Sequence, residues 1–400
     1  MNRKIPLGLT IALMAIAAAI TFIISTSYTM NIFNGLVADV QQRAEMYQKL
    51  EQIDAYVRAY YDGTIDEDKL IEALANGYIS ILDDAEAEYM TAQQYTLYRE
   101  HLSGTHLGIG VYTVEDGGYP SVSEVIANSP ASMAGITVGE SIIEINGQSA
   151  LDMGYDQAVE LLRSPAGTQL ELTIRSNGVD RASVITTVQM TIGTVSMKIF
   201  GELGYIKITE FNEKTYQQFM AAYSTLASQG IKGLIIDLRN NGGKLSDAAV
   251  NILGSILPEG EQIAISTGRD GTESVYDIAT GTRVPETPIC VLVNARTSGP
   301  GELFAAALAD HLASPIVGVT TAGESDLLES YALYDGTAIL LPISQLKSTM
   351  REIEGVGVKP DYEVPVPYDD TDKELALLEE DADQALRRAV EIVTSQIPAV

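Results

Sequence analysis

The chain has 400 residues, long enough for two or three separate cores. Apolar residues make up 46% and charged residues 20%, a globular composition that excludes intrinsic disorder. With 54 acidic residues against 25 basic ones, a net charge of −29, the surface repels phosphate backbones and argues against nucleic acid as a partner. The single cysteine, Cys290, sits inside the apolar run "PICVLV" and reads as a small buried hydrophobe, leaving neither a disulfide framework nor a cysteine metal site. His101, His106 and His311 are scattered, which argues against a histidine metal centre, and no cofactor is implied.

Residues 1–30 read as a membrane anchor. Arg3 and Lys4 precede "IPLGLTIALMAIAAAITFII", an uncharged run of about the length that spans a bilayer as a helix. The basic flank predicts a single pass with a cytoplasmic N-terminus and an extracytoplasmic bulk, as in a bacterial-type cell membrane. A cleaved signal peptide is the rival reading, because Ala17, Ala18 and Ala19 are small; the apolar run continues past them. Residues 31–103 are helical in pattern. Met46, Leu50, Ile53, Val57 and Tyr60 alternate spacings of four and three and form one stripe, to be covered by the chain's own core or by a second subunit. Thr64 or Asp66 caps the next helix.

Residues 104–190 change character. "GIGVYTV" and "SVSEVIA" are short strands, "SPASMAGI" is a short helix, and "SIIEINGQ" is a strand ending in an Asn-Gly turn. "DQAVELLRS" is an amphipathic helix and "QLELTIRS" a half-buried strand. From 191 to 370, strands alternate with helices: "GYIKI", "KGLIIDL", "PICVLV" and "PIVGV" each run into a loop. This predicts an α/β core with a mostly parallel sheet. Sites in such sheets lie beyond the carboxyl ends of the strands, so "RNNGGK", "NARTSGPGE" and "TTAGESDLL" should border one cleft. Residues 371–400 predict a C-terminal helix with Leu375, Leu378, Ala382, Leu386, Ala389 and Val393 on one face.

The segment 104–190 resembles a PDZ domain. "GIGV", residues Gly108, Ile109, Gly110 and Val111, is similar to the loop that binds a carboxylate; Gly108 and Gly110 let backbone N–H groups converge on an anion. The strand after it can accept an extended peptide as an added strand. Over residues 45–395 the whole order of segments resembles the carboxy-terminal processing peptidases, or tail-specific proteases. "NGYISILDDAEAEYMTAQQY", "KGLIIDLRNNGG" and "EGVGVKPDYEV" carry that likeness.

The resemblance implies a Ser–Lys pair assisted by a Gln, and here it breaks. In "TSGPGE", Glu302 matches the family's Glu while Gly301 takes the nucleophile's place. In "AGESDLL", Glu324 replaces the Lys and Leu328 the Gln. The oxyanion loop ends in Lys244 instead of glycine, with Gly242 and Gly243 left as backbone donors. Glycine cannot form an acyl intermediate, Glu324 inverts the charge of a base that must be a neutral amine, and Leu328 cannot hydrogen-bond. Loss of single triad members in a serine peptidase costs on the order of 10⁴–10⁶ in kcat. Ser298 is the substitute nucleophile to weigh, but it lies three residues from Gly301, and reacting atoms must approach to about 3–3.5 Å. Ser298, Thr297 and Ser325 read as turn hydroxyls, and Lys244 as a solvated lysine.

The expected function is that of a membrane-anchored pseudopeptidase that binds protein C-termini or extended peptides. Assembly with itself or with an active relative through the helical region is a further expectation. The alternatives are an active serine-type endopeptidase with a non-standard catalytic set, and a non-binding envelope scaffold.

Overall fold

The computed structural model describes residue 40 and residues 43–243, 245–280, 284, 287–365 and 382–398. The anchor expected within residues 1–30 lies outside the described residues, as do Lys244, Leu375 and Leu378. Among the described residues no helix is long and apolar enough to cross a membrane. The chain divides into two units, residues 1–74 and 75–400.

In the first unit, α1 covers residues 43–60. α2 (Glu67–Ser80) begins in this unit, and Asp66 caps it by accepting the Lys69 N–H at 3.2 Å. Arg58 bridges Asp54, one turn back, and Glu67 at 2.8 and 2.6 Å. Both pairs are exposed, so solvent screens them and they add little to stability. The expected apolar stripe remains uncovered within its own unit: Leu50, Ile53 and Val57 are 40%, 52% and 41% exposed. With Ile65, Leu70 and Leu74 they line a groove of ≈ 390 Å³.

The second unit opens with β1 (Glu88–Met90) and α3 (Ala92–Ser103). β1 corrects the all-helical reading of 31–103; three residues are too few to show a period of two. α3 starts with a capping box, in which Thr91 Oγ1 accepts from Gln94 N–H and Gln94 Oε1 accepts from Thr91 N–H.

A β-rich domain follows: β2 (Thr105–Gly108), β3 (Val111–Asp116), β4 (Tyr119–Val125), α4 (Pro130–Met133), β5 (Ser141–Ile145), β6 (Gln148–Ser149), α5 (Ala150–Met153), α6 (Tyr155–Leu162), β7 (Gln169–Ser176), β8 (Val179–Thr186) and β9 (Val188–Thr191). The main sheet runs β3-β4-β5-β7-β8, β6 pairs with β5, and β2 pairs separately with β9; every pairing is antiparallel. Asn146 and Gly147 both take positive φ, 52° and 76°, as a two-residue hairpin turn of type I′ requires. β7 alternates as expected, with Leu170, Leu172 and Ile174 inward beside Ile142 and Ile145. Among the described residues β3 is an edge strand, bonded only to β4.

The core comprises β10 (Val195–Phe200), β11 (Leu203–Ile208), α7 (Thr215–Ser228), β12 (Gly233–Asp237), α8 (Ser246–Ile256), β13 (Gln262–Gly268), β14 (Glu273–Ile278), β15 (Ile289–Val293), α9 (Pro300–Leu312), β16 (Ile316–Gly318), β17 (Asp326–Ala332), β18 (Ala338–Lys347), β19 (Tyr362–Glu363) and, after the undescribed stretch, the helix Gln384–Gln396, here α10. Its central sheet runs β10-β11-β12-β15-β16-β19, with β10 antiparallel to β11 and the other pairs parallel. One face packs on α7, α8 and α9 through Phe211, Phe219 and Phe304. The other packs on α10 through Ala385, Leu386, Ala389 and Val393.

The mostly parallel expectation needs correction, since the sheets of the molecule are largely antiparallel. A second core sheet, β1-β18-β13-β14 with β17 also on β18, is wholly antiparallel and recruits β1 from outside the core segment. The C-terminal face is also corrected at Ala382, which is exposed; Asp383 caps α10 by accepting the Leu386 N–H at 2.9 Å. Cys290 lies in the middle of β15 with its thiol pushed up to about 12 by burial, as a buried hydrophobe should.

Candidate functional site

Three loops leave the carboxyl ends of β12, β15 and β16, and backbone hydrogen bonds join them. Ser298 N–H donates to the Asn241 carbonyl at 2.9 Å, Ala322 N–H to that of Thr297 at 3.0 Å, and Gly299 N–H to that of Glu324 at 3.0 Å. Side chains tighten the same seam. Asn240 N–H donates to Asn294 Oδ1 at 3.0 Å, Asn294 Nδ2 to Asn240 Oδ1 at 2.7 Å, and Thr297 Oγ1 to the Leu238 carbonyl at 2.8 Å. "RNNGG", "NARTSGPGE" and "TTAGESDLL" therefore form one site floor.

Glu302 fastens this floor to α9. It is fully buried; one carboxylate oxygen accepts from Thr321 Oγ1 and from Gly323 N–H at 2.7 Å. The other accepts from Glu324 N–H at 2.8 Å and Gly299 N–H at 3.2 Å. Burial raises this carboxyl above its ordinary range, against the four donors that favour its charged form.

Gly301, in the first turn of α9, is enclosed. A Cβ there would lie 3.1 Å from Thr297 Cγ2 and 3.3 Å from both the carbonyl and Oδ1 oxygens of Asn241. A side chain at 301 therefore requires its neighbours to shift by a few tenths of an ångström. Gly243, expected as a residual oxyanion donor, is already engaged: its N–H donates to Asn241 Oδ1 at 2.9 Å. Its φ of +55° and the position of Pro300 Cδ, 2.2 Å from a notional Cβ, demand glycine. Gly242 is exposed.

Glu324 is exposed and holds the floor only through its backbone. Around it stand Asp84, Glu86, Asp326 and Glu354. Burial, then this mutual repulsion, raises the carboxyls of Glu86 and Asp326. A lysine in such a field is held as the ammonium, opposite to what a neutral base needs. Leu328 is half-buried in β17 and packs against Met90, Ala338 and Leu340 beside Tyr95 and Tyr98. Ser325 donates to Glu354 through both N–H and Oγ, at 3.0 and 2.9 Å, fastening a turn. Ser298 is 8% exposed, and its backbone is tied at both ends, to Asn241 and to Gly301. Among the described residues no group of His, Cys, Asp and Glu is arranged to hold a metal ion.

The profile of Peptidase family S41 matches residues 202–364, and a PDZ domain profile matches 121–176. A carboxy-terminal-processing protease of Bartonella bacilliformis is 30% identical over 318 residues, covering 78% of this chain and 73% of its own. The carboxy-terminal processing protease CtpA of Bacillus subtilis is 30% identical over 384 residues, 93% of this chain and 81% of its own. The chain belongs to peptidase family S41. A solved S41 structure described as a putative protease from Bacteroides fragilis shares 18% identity over 85% of this chain and 94% of that one, with a TM-score of 0.49.

In this S41 chain, "DLRNN" is absorbed by structure. Arg239, 4% exposed, binds Asp237 at 2.6 Å and takes Asp383 with both terminal nitrogens, at 3.0 and 2.8 Å. Tyr205 Oη donates to Asp237 at 2.7 Å. Burial opposes both charges, yet Arg239 holds Asp237 below the ordinary carboxylate range. Asn241 Nδ2 donates to the Ile208 carbonyl at 3.0 Å. Asp383 was invisible in the motif because it lies 144 positions away.

The PDZ domain of the S41 chain also departs from expectation. Gly108, Ile109, Gly110 and Val111 connect β2 to β3, and the Ile109 amide of this loop is already engaged. The Gly108 backbone lies so close to α6 that a Cβ would meet the Leu162 carbonyl at 2.7 Å, and the Ile109 N–H donates to that carbonyl at 3.3 Å. Gly110, at φ +89°, abuts Ser129, whose Cβ is 2.2 Å from a notional Cβ.

A carboxylate does sit at this end of the domain, and it belongs to Glu100 of α3. It pairs with Arg163, with His106 Nδ1 at 3.1 Å, and approaches the Leu107 N–H at 3.5 Å. Burial works against the charge, but His106 and Arg163 outweigh it and hold Glu100 below its ordinary value. Neither His106, isolated in the sequence, nor Arg163 carries a local signal for this contact.

Proposed function

We propose that this chain is a membrane-anchored, extracytoplasmic pseudopeptidase. It binds protein C-termini or extended segments through its PDZ domain and uses the cleft as a peptide-holding surface without cutting. The observation that carries this reading is what surrounds four positions of the cleft, Gly301, Gly243, Glu324 and Leu328. Gly301 is closed in by Thr297 and Asn241, the Gly243 amide serves Asn241, Glu324 stands in a field of carboxylates, and Leu328 packs against Met90. An intact S41 frame with no group to attack, no base and no free Gly243 amide supports holding over hydrolysis. Arg3, Lys4 and the uncharged run after them support the anchor. The exposed stripe Leu50, Ile53 and Val57 supports association through the helical segment with a second copy or an active relative.

The test is incubation of the full chain, purified in detergent, with unfolded proteins and with peptides bearing free C-termini. Binding without cleavage is expected. Turnover that persists after rigorous purification overturns the reading. Its loss on Ser298→Ala, with covalent labelling of Ser298 by a serine-reactive phosphonate, would establish the active-peptidase alternative.

A further inference from the structure

We infer that α3 is a built-in ligand of the PDZ groove: the Glu100 carboxylate fills a carboxylate-binding pocket made by Arg163, His106 and the Leu107 N–H, and an incoming protein C-terminus must displace it. This rests on the reading of the domain as a binder of C-termini and names the residues that would do the binding.

The groove lies between β3 and α6. Its walls are Val111, Tyr112 and Thr113 on one side and Val159 and Leu162 on the other, with Gln93 and Leu97 of α3 laid over it. The space left is ≈ 20 Å³, room for about one water molecule. A peptide strand cannot enter while α3 stays in place, although β3 offers a free edge for one. At the groove's end Glu100 is 14% exposed and Arg163 19%, so the pair is largely withdrawn from water. The pocket has the chemistry of a carboxylate receptor: one guanidinium, one imidazole and one backbone amide converge on two oxygens. Leu97 supplies the apolar side chain that a C-terminal residue would otherwise bring.

The cover is imperfect, which makes it displaceable. Tyr112, stacked on His101 at 5.0 Å and edge-on to His106 at 5.1 Å, has a buried hydroxyl with no hydrogen-bond partner among the described residues. The His101 Nδ1 is likewise without a hydrogen bond, its nearest carboxylate oxygen, on Glu210, being 3.6 Å away. A buried polar group left unpaired weakens the contact that buries it. The ligand class is therefore a peptide with a free α-carboxylate and an apolar last side chain. Its apparent affinity is reduced by the fraction of molecules in which α3 is docked.

Fluorescence anisotropy would use a labelled decapeptide ending in Val-Leu with a free C-terminus, and its C-terminal amide, against the full chain. Glu100→Ala should bind the free acid at least about tenfold tighter than wild type. The amide should bind neither protein, and Glu100→Ala combined with Arg163→Ala should lose the gain. Hydrogen exchange read in parallel, without peptide, should be faster in α3 and β3 of Glu100→Ala and unchanged in β12. Equal affinity of wild type and Glu100→Ala, with unchanged exchange, overturns the built-in ligand while leaving the groove a C-terminus binder. Faster exchange with no binding by any variant instead overturns the binding reading on which the inference rests. Unchanged exchange and no binding overturn both.

Discussion

On the proposed reading, the cleft and the PDZ groove are idle in opposite ways. In the cleft the scaffold is complete: three loops, the α9 start and the Glu302 fastener are all present, and on that reading the side chains for chemistry are missing. In the groove the chemistry is present, with Arg163 and His106 holding a carboxylate, but the carboxylate comes from the same chain. An absent group can be restored only by substitution, whereas an occupied one can be vacated by a competitor. Mutations should therefore act on the two sites with opposite sign, and that contrast can be broken or sharpened in several ways.

The largest expected effect concerns the frame on which the cleft is built. Asp383→Ala leaves Arg239 buried with one of its two partners, and breaking such a buried set costs about 3–5 kcal/mol. Hydrogen exchange should show the loss in β12 and α10, with the sheet of the PDZ domain unaffected. Equal loosening of both regions would mean that they are not energetically separate.

Glu302→Gln comes next. All four contacts to this carboxylate are donors, so an amide must turn its NH₂ toward two of them. The expected cost is about 2–3 kcal/mol, read from the denaturant midpoint. The sign with pH is also fixed. The folded state raises this carboxyl, so it binds more protons than the unfolded chain from the ordinary carboxylate range up to the raised value. Across that window its contribution falls as pH rises, and Glu302→Gln should remove this slope.

Restoring the family's side chains is a sharper test of the cleft. Gly301→Ser should destabilise by about 1–2 kcal/mol, because its Cβ must push on Thr297 and Asn241. Combined with Glu324→Lys and Leu328→Gln it should still give no measurable turnover, since the Gly243 amide remains bound to Asn241 and Pro300 lies against it. Turnover by this triple variant would show that only three side chains separate the cleft from catalysis.

The smallest effect is the acid dependence of the α3 latch. Glu100 is held below its ordinary value, so its contribution is complete above the ordinary carboxylate range and is lost as pH falls through the lowered value. His106, Arg163 and Tyr112 face it, while His101 and Glu210 stand behind Tyr112. Exchange in α3 should accelerate by severalfold over that acid interval, and Glu100→Gln should abolish the dependence.

Local signals carried much of this structure. The alternation in β7, the Asn146-Gly147 turn and the strand–loop–helix order around Gly301 all appear as the residues predict. What escaped were contacts between distant segments made by residues with no local pattern. β1 is three residues long and joins β18, some 250 positions on, by register alone. Glu100 carries no local signal on α3; its partners His106 and Arg163 lie 6 and 63 positions on. Gly243 is a different case: its amide is taken by Asn241 Oδ1 from only two positions back, a local turn of the kind an Asn before glycines can signal. The residue types at 301, 324 and 328 are legible in the sequence; the close packing of Thr297 and Asn241 around Gly301 is not.

The Arg239 pairing also imposes an order on how the molecule is made. β12 and its arginine leave the ribosome first, and Asp383 follows 144 positions later. Until then one face of the central sheet lacks α10, and a guanidinium meant for two carboxylates has only Asp237. A nascent chain in that interval exposes an apolar sheet face beside an under-neutralised charge. It is α10, emerging well after the central sheet, that covers this face.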